Sequence, residues 1–225
     1  MLRIASYNIL HGKFVDMDLR ILGADIAALG ADLVGLQEVD QFAARSGSID
    51  SVRILSESAG LPHAAFARAI PLQGGEYGTA ILSRYPILSF TVTPLESGAG
   101  EKRSFGHAVL DVNGQTVHFI NTHLSLGGRE NREAQFAAIA AQLPGDAPWI
   151  VTGDFNTEDF SEFVPLGGSL LNCAENRMLS FYPGGAAIDN IVRSSHWTPG
   201  DSGMAESTHS DHNMIWCDAE LKNKN

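Results

Sequence analysis

Positive charge is scarce in this chain: 15 Lys and Arg stand against 26 Asp and Glu in 225 residues, a formal net charge of −11. A field of that sign repels polyanions and anionic membrane surfaces and welcomes a divalent cation. No stripe of basic and aromatic residues interrupts it, so nucleic acid is disfavoured as the main partner. Cysteine is scarce too. Only Cys173 and Cys217 occur; their spacing names no disulfide, and both stand in partly apolar contexts that suit free core thiols in a reducing compartment. No apolar run approaches the ~20 residues of a membrane-spanning helix. The opening MLRIASYNIL lacks the charged and long apolar regions of a signal peptide, so a cytoplasmic location is expected. Low-complexity tracts and linker-like composition shifts are also missing, which leaves a single domain over residues 1–225.

What is present is an ordinary globular composition, 44% hydrophobic and 18% charged, able to bury a core. Alternation predicts a strand over 2–10, with Ile4, Ser6, Asn8 and Leu10 on one face. Leu19, Leu22, Ile26 and Leu29 keep helical spacing between a capping Asp16 or Asp18 and a stop at Gly30. A short apolar run over 32–39 reaches Glu38, and a weaker helix is expected over 49–59. Two strands follow, broken at Tyr85-Pro86. Asn113-Gly114 between two β-rich runs predicts a type I′ hairpin. A helix over 130–143, a strand through WIVTGD, a short helix over 158–164, a loop over 165–187 and two closing strands complete the chain. The succession of strand, polar loop, helix, strand and polar tip recurs near 4–38 and 117–154. Two mixed or antiparallel sheets packed face to face, with helices outside, fit this order best.

The strand ends share a chemistry. Asn8 and His11 close the first strand, Gln37 and Glu38 the second, Asn121 and His123 the hairpin, and Asp154 and Asn156 the strand after the long helix. Asp189-Asn190 and Ser210-Asp211-His212 mark the last two. One Asn or Asp at a strand end is ordinarily a turn former. As a set, carboxylates, amides and imidazoles without cysteine suit a hard ion such as Mg²⁺ or Mn²⁺.

In order, SYNIL (6–10), LQEV (36–39), YGTAILSRYPI (77–87), NTHL (121–124), GDFN (153–156), IDNI (188–191) and SDH (210–212) resemble the endonuclease/exonuclease/phosphatase superfamily of metal-dependent phosphoesterases. The resemblance spans about residues 3 to 220 and implies a DNase I-like, four-layer α/β/β/α sandwich. It implies Glu38 as principal Mg²⁺ ligand, with Asn8 beside it and Asp211 close to the ion. Asp154 would orient or deprotonate the attacking water, Asn156 would hold a phosphate oxygen, and Asp189 would fix His212 against the phosphate. His123 matches a second histidine that helps protonate the leaving group. Tyr77 and Arg103 fall where phosphate contacts occur in such proteins.

A fold name does not name a substrate. Arg129 and Arg132 could meet a headgroup or second phosphate, or simply form a solvated helix start. The loops expected over 68–76 and 172–187, with Arg68, Gln73, Arg177 and Tyr182, are further candidates for substrate reading. Phe160, Phe163 and Leu166 are expected in the core. The leading expectation is a Mg²⁺-dependent phosphoesterase for a phosphorylated small-molecule or headgroup substrate, mono- or diester. The alternatives are an endo- or exonuclease on DNA or RNA, an inactive binding module on the same fold, and a zinc hydrolase built on His123, His209, Asp211 and His212.

Overall fold

The computed structural model of the protein describes residues 1–222. Among them, twelve strands form two six-stranded mixed sheets. The first runs β11 (Trp197–Ala205), β12 (Met214–Leu221), β1 (Leu2–Asn8), β2 (Leu33–Gln41), β4 (Gly75–Ser83), β3 (His63–Leu72). The second runs β5 (Ile87–Leu95), β6 (Arg103–Val112), β7 (Gln115–His123), β8 (Trp149–Asp154), β10 (Asp189–Arg193), β9 (Ser169–Leu170). Each sheet holds one parallel pair, β1 with β2 and β7 with β8. Those pairs are joined through α1 (Leu19–Leu29) and α3 (Arg129–Ala140), so the recurring succession of elements is a repeated β-α-β crossover.

Three apolar clusters define the layers. Ile4, Leu33, Phe119, Ile150, Ile191 and Ile215 fill the space between the sheets. Leu22 and Ile26 of α1 and Leu55 of α2 (Ser51–Ala59) cover the outer face of the first sheet over Ala5, Leu36 and Leu82. Phe136 and Ile139 of α3, with Phe163 of a short 3-10 helix (Phe160–Leu166), cover the second over Ile120 and Val151. The result is the expected α/β/β/α sandwich. Cys217 is a free thiol in the inter-sheet core, and Cys173 is free and half-buried.

Local signals act as written. The Asp18 side chain accepts the Arg20 N–H at 3.3 Å to start α1, and Gly30 ends it at φ 71°. Asn113 and Gly114 both take positive φ, 54° and 83°, as a type I′ turn requires. Other expectations need correction. Helix α3 stops at Ala140, short of residue 143. Residues 68–76 are not a loop but the tip of the β3–β4 hairpin, turned at Gln73-Gly74. Strand β11 escapes the period-2 pattern because it is an edge strand, paired only with β12 and bulged between Pro199 and Ser202, where proline and glycine are tolerated.

One polar layer crosses the middle of the sandwich. Asn121 donates to the Leu36 and Ala80 carbonyls at 2.8 and 2.9 Å. Its Oδ1 accepts from Gln37 Nε2 at 2.7 Å and Thr152 Oγ1 at 3.1 Å. Gly35 lets the sheets approach here, since a Cβ would lie 2.1 Å from Thr152 Oγ1. Asn121 is thus a bolt between sheets and not a lining residue of the site. Asn121→Ala removes all four of these buried hydrogen bonds, with Gln37 and Thr152 keeping their weaker contacts to Ser6, Gly35 and Ile120, and is expected to cost roughly 2–4 kcal/mol in urea unfolding.

Candidate active site

Alternation along the inward faces carries each strand from apolar to polar. Ile4, Ser6 and Asn8 succeed one another on β1, as do Phe119, Asn121 and His123 on β7, and Ile150, Thr152 and Asp154 on β8. Antiparallel β10 enters at the same level with Asp189, which pairs with Asp154, and then descends to Ile191. The register sets Asn8 beside Gln37 and His123 beside Asp154. The polar ends of strands from both sheets therefore meet at one end of the sandwich, above the amide layer.

Glu38 breaks the alternation. Strand β2 does not end there but continues to Gln41, with a register shift between Leu36 and Val39. Glu38 takes φ 56° within that bulge, a left-handed conformation that strains a non-glycine residue by ~1–2 kcal/mol. The bulge turns the carboxylate into the cavity, where simple alternation would point it away.

Asp154 is the hub. Its Oδ2 accepts from Asn8 Nδ2 at 3.0 Å, and its Oδ1 from the Asn156 N–H at 3.0 Å. His123 Nε2 lies 3.5 Å and His212 Nε2 3.7 Å from the same Oδ2. Asp189 Oδ2 accepts from His212 Nδ1 at 2.8 Å, fixing the ring with Nε2 toward Asp154. Asn8 Nδ2 also donates to Glu38 Oε1 at 3.1 Å. Arg103 Nη1 stands 3.4 Å from His123 Nδ1.

Charge differentiates the groups. Burial works against the His212 imidazolium, but Asp189 and then Asp154 overcome it and raise the pKa to about 10. Burial and Arg103 instead lower His123 to about 3, a neutral ring. Burial, with Asp189 adding to it, pushes the Asp154 carboxyl up, against the opposing pull of His212 and Asn8. Burial also disfavours the Glu38 carboxylate, yet His11, His123 and Asn8 outweigh it and bring Glu38 to about 2.

Glu38, His123, Asp154 and His212 open into a cavity of about 600 Å³ that is also lined by Asn156, Asp211, Tyr77 and Arg103, with Asn8 and Asp189 behind them. Asn156 Nδ2 donates one hydrogen to the Leu124 carbonyl at 3.0 Å and keeps its second. Arg129 is not brought here. It is exposed and bonded to Glu133 at 2.7 Å and Asp159 at 2.6 Å, because the start of α3 faces solvent. Arg129→Ala is accordingly expected to shift KM by less than about twofold, as a surface change does. Arg132 clasps buried Glu162 at 2.8 and 2.9 Å, docking the 3-10 helix. Arg68 pairs with Glu76 and Arg177 with Glu158, both outside the cavity lining. His209 turns to Asp25 at 2.7 Å and lines a different pocket, which removes it from any zinc cluster with His212.

Sequence reasoning missed much of the wall: Arg45, Ile70, Leu72, Leu126, Phe181 and Ile188. Ile70 and Leu72 lie in the segment misread as a loop, and the Phe181 ring packs 5.0 Å from His212. The apolar members carried no signal but apolarity, which buried core shares.

The donor set fits a hard divalent cation. Glu38, Asp154 and Asp211 line the one cavity, and Asp189, which holds His212 from behind, has a buried Oδ1 without a partner among the described residues. Asp154, Asp189 and His212 offer ligand atoms within 4.8 Å of one another. Glu38 Oε2 accepts no hydrogen bond among the described residues, and His11 Nδ1 lies 3.8 Å from it. Asn8 Oδ1 accepts the Leu10 N–H at 3.1 Å, so the amide edge facing Glu38 is its nitrogen.

Comparison with known proteins follows the same lines. The model of the Endonuclease/Exonuclease/phosphatase family matches residues 5–212. The uncharacterized protein YbhP of Escherichia coli K12 is 36% identical over 98 residues, covering 41% of this chain and 38% of YbhP. An endonuclease/exonuclease/phosphatase structure from Beutenbergia cavernae superposes with a TM-score of 0.81 at 20% identity, over 98% of this chain and 71% of that one. A mannosyl-6-phosphatase of Bacteroides thetaiotaomicron gives 0.68 at 17% identity, over 98% and 100%.

Proposed function

Because the chain belongs to the Endonuclease/Exonuclease/phosphatase family, we propose that it is a Mg²⁺-dependent phosphoesterase that hydrolyses a small phosphorylated or phosphodiester substrate by in-line attack of water. The observation that carries this reading is the convergence on Asp154: Asn8 and Asn156 hold its carboxylate at 3.0 Å, with His123 and His212 within 3.7 Å.

Glu38 would hold the ion, with Asp211 on the same side of the cavity and Asn8 orienting Glu38 through its amide N–H. A bound Mg²⁺ or Mn²⁺ supplies Lewis-acid stabilisation of charge on the phosphoryl and leaving oxygens. Asp154 takes the proton of the attacking water, a task suited to a carboxyl whose affinity for protons is raised. The His212 imidazolium, held by Asp189, donates from Nε2 to a nonbridging oxygen as negative charge grows there. Asn156 gives its second amide hydrogen to another. His123 is neutral, so it fits a hydrogen-bonding role toward the leaving oxygen better than that of a proton reservoir.

A cavity of about 600 Å³ with apolar walls suits a small organic phosphoester. The net charge of −11 weighs against duplex DNA. The test is competition: hydrolysis of bis(p-nitrophenyl) phosphate with Mg²⁺, challenged by duplex DNA, single-stranded RNA and small phosphoesters. Small phosphoesters should compete and nucleic acids should not. Efficient turnover of nucleic acid in the same assay would replace this substrate class with the nuclease reading.

A further inference from the structure

Arg45 reaches the cavity from a short 3-10 helix (Ala44–Ser46) just beyond the strand that carries Glu38. Its guanidinium is set by a carboxylate behind it. Nε and Nη2 donate to Asp40 Oδ2 and Oδ1, each at 2.7 Å, and Asp40 is buried and also receives the Ser46 hydroxyl. One edge of the fork is consumed by that pair. Nη1, with both its hydrogens, makes no hydrogen bond among the described residues, and the side chain stays one-third exposed (33%). The guanidinium carbon sits 5.5 Å from the centroid of the Tyr77 ring. Tyr77 lies in turn beside Arg103, which abuts His123. From the reacting end outward the wall therefore reads His123, Arg103, Tyr77, Arg45.

A surface ion pair would leave the guanidinium free to wander. Here a buried acid and an aromatic ring hold it in one orientation, and the residue that carries these unspent donors lines the cavity. A fixed, planar, always-charged donor of this kind recognises carboxylate or phosphate oxygens, and lysine does not reproduce its geometry. Arg103 already stands next to His123, where the scissile phosphate would lie; Arg45 is one aromatic ring further out. Resting on the phosphoesterase reading above, we propose that Arg45, backed by Tyr77, is a second anion-binding subsite, and that the substrate carries a carboxylate or a second phosphate a few bonds from the scissile one.

Binding, rather than turnover, tests this separately from hydrolysis. The 225-residue chain with excess Mg²⁺ is titrated calorimetrically with three non-hydrolysable ligands on one carbon scaffold: propylphosphonate, 3-phosphonopropionate and propane-1,3-diphosphonate. Hexyl homologues extend the span. At least one two-anion ligand should bind ~10-fold or more tightly than its one-anion counterpart, the increment of a charge-assisted contact. Which of them wins tells a carboxylate from a second phosphate. Arg45→Lys should cut the advantage below about threefold through loss of the fork. The double variant Asp40→Asn/Arg45→Gln, which leaves no lone buried carboxylate, should do the same, with thermal unfolding to confirm that it folds. Equal affinities for one and two anions, no binding of any ligand, or an advantage that survives both variants would overturn the subsite. A failure of hydrolysis with this pattern intact would overturn only the catalytic reading.

Discussion

Asp154→Asn is expected to lower kcat by roughly 10³-fold, within the usual range for a lost general base, with little change in KM. The substitution is nearly isosteric, and Asn156 N–H can still find an acceptor in the new amide oxygen, so the fold should survive. What disappears is a basic oxygen next to the attacking water. That loss is felt in the transition state and not in substrate binding, which is why kcat should carry it. Single-turnover kinetics with saturating Mg²⁺ check the expectation, with circular dichroism as the control for folding. A variant that keeps more than about a tenth of wild-type kcat would assign proton removal elsewhere.

Asp189→Asn should change the charge of His212. In the wild type, burial disfavours the imidazolium, but the 2.8 Å bond to Asp189 and the Asp154 carboxylate lift the pKa to about 10. The ring is then charged throughout the neutral range. With Asp189 neutral, its Coulombic and hydrogen-bonding support is lost while burial remains, so the pKa should fall by several units, toward or below the ordinary ~6.5. Nitrogen-detected NMR of the metal-free protein reads this directly at His212. A folded pKa raised above the unfolded one contributes stability that is complete below ~6.5 and disappears as pH rises toward 10. The stability gap between wild type and variant should therefore be widest near pH 6 and shrink steadily on the alkaline side. A His212 that titrates alike in both proteins would break the assigned pair.

How much of this could be read from residues alone varies by feature. The Asn113-Gly114 turn, the caps at Asp18 and Gly30 and the strand leading to Asp154 follow local rules, and each forms as expected. The convergent polar set was legible because polar groups at the ends of apolar strands conflict with burial, and conflict is informative. Asn121 shows the limit of that logic. It looked like a member of that set, but its four partners lie on other strands, and only the packing of the two sheets reveals them. Arg129 failed for the opposite reason: a basic residue near His123 in sequence is carried away by the first turn of a helix. Arg45 went unnoticed because its value depends on Asp40 and Tyr77, which meet it only through the β2 bulge and the β2–β4 pairing. Phe155, next to the hub in sequence, packs on Phe136 with ring centroids 5.5 Å apart, outside the site altogether.

The central claim is that the protein directs water onto phosphorus with Asp154 as base. Phosphorus NMR in ¹⁸O-enriched water, with Mg²⁺ or Mn²⁺, tests it most directly across phosphomonoesters, phosphodiesters, lipid headgroups and DNA. The account predicts a product phosphate carrying one solvent oxygen for at least one small phosphoester, visible as an isotope shift, and no such signal over the same time with Asp154→Asn. Wild type and variant equally inert on every substrate, or product formed without solvent oxygen on phosphorus, would contradict it.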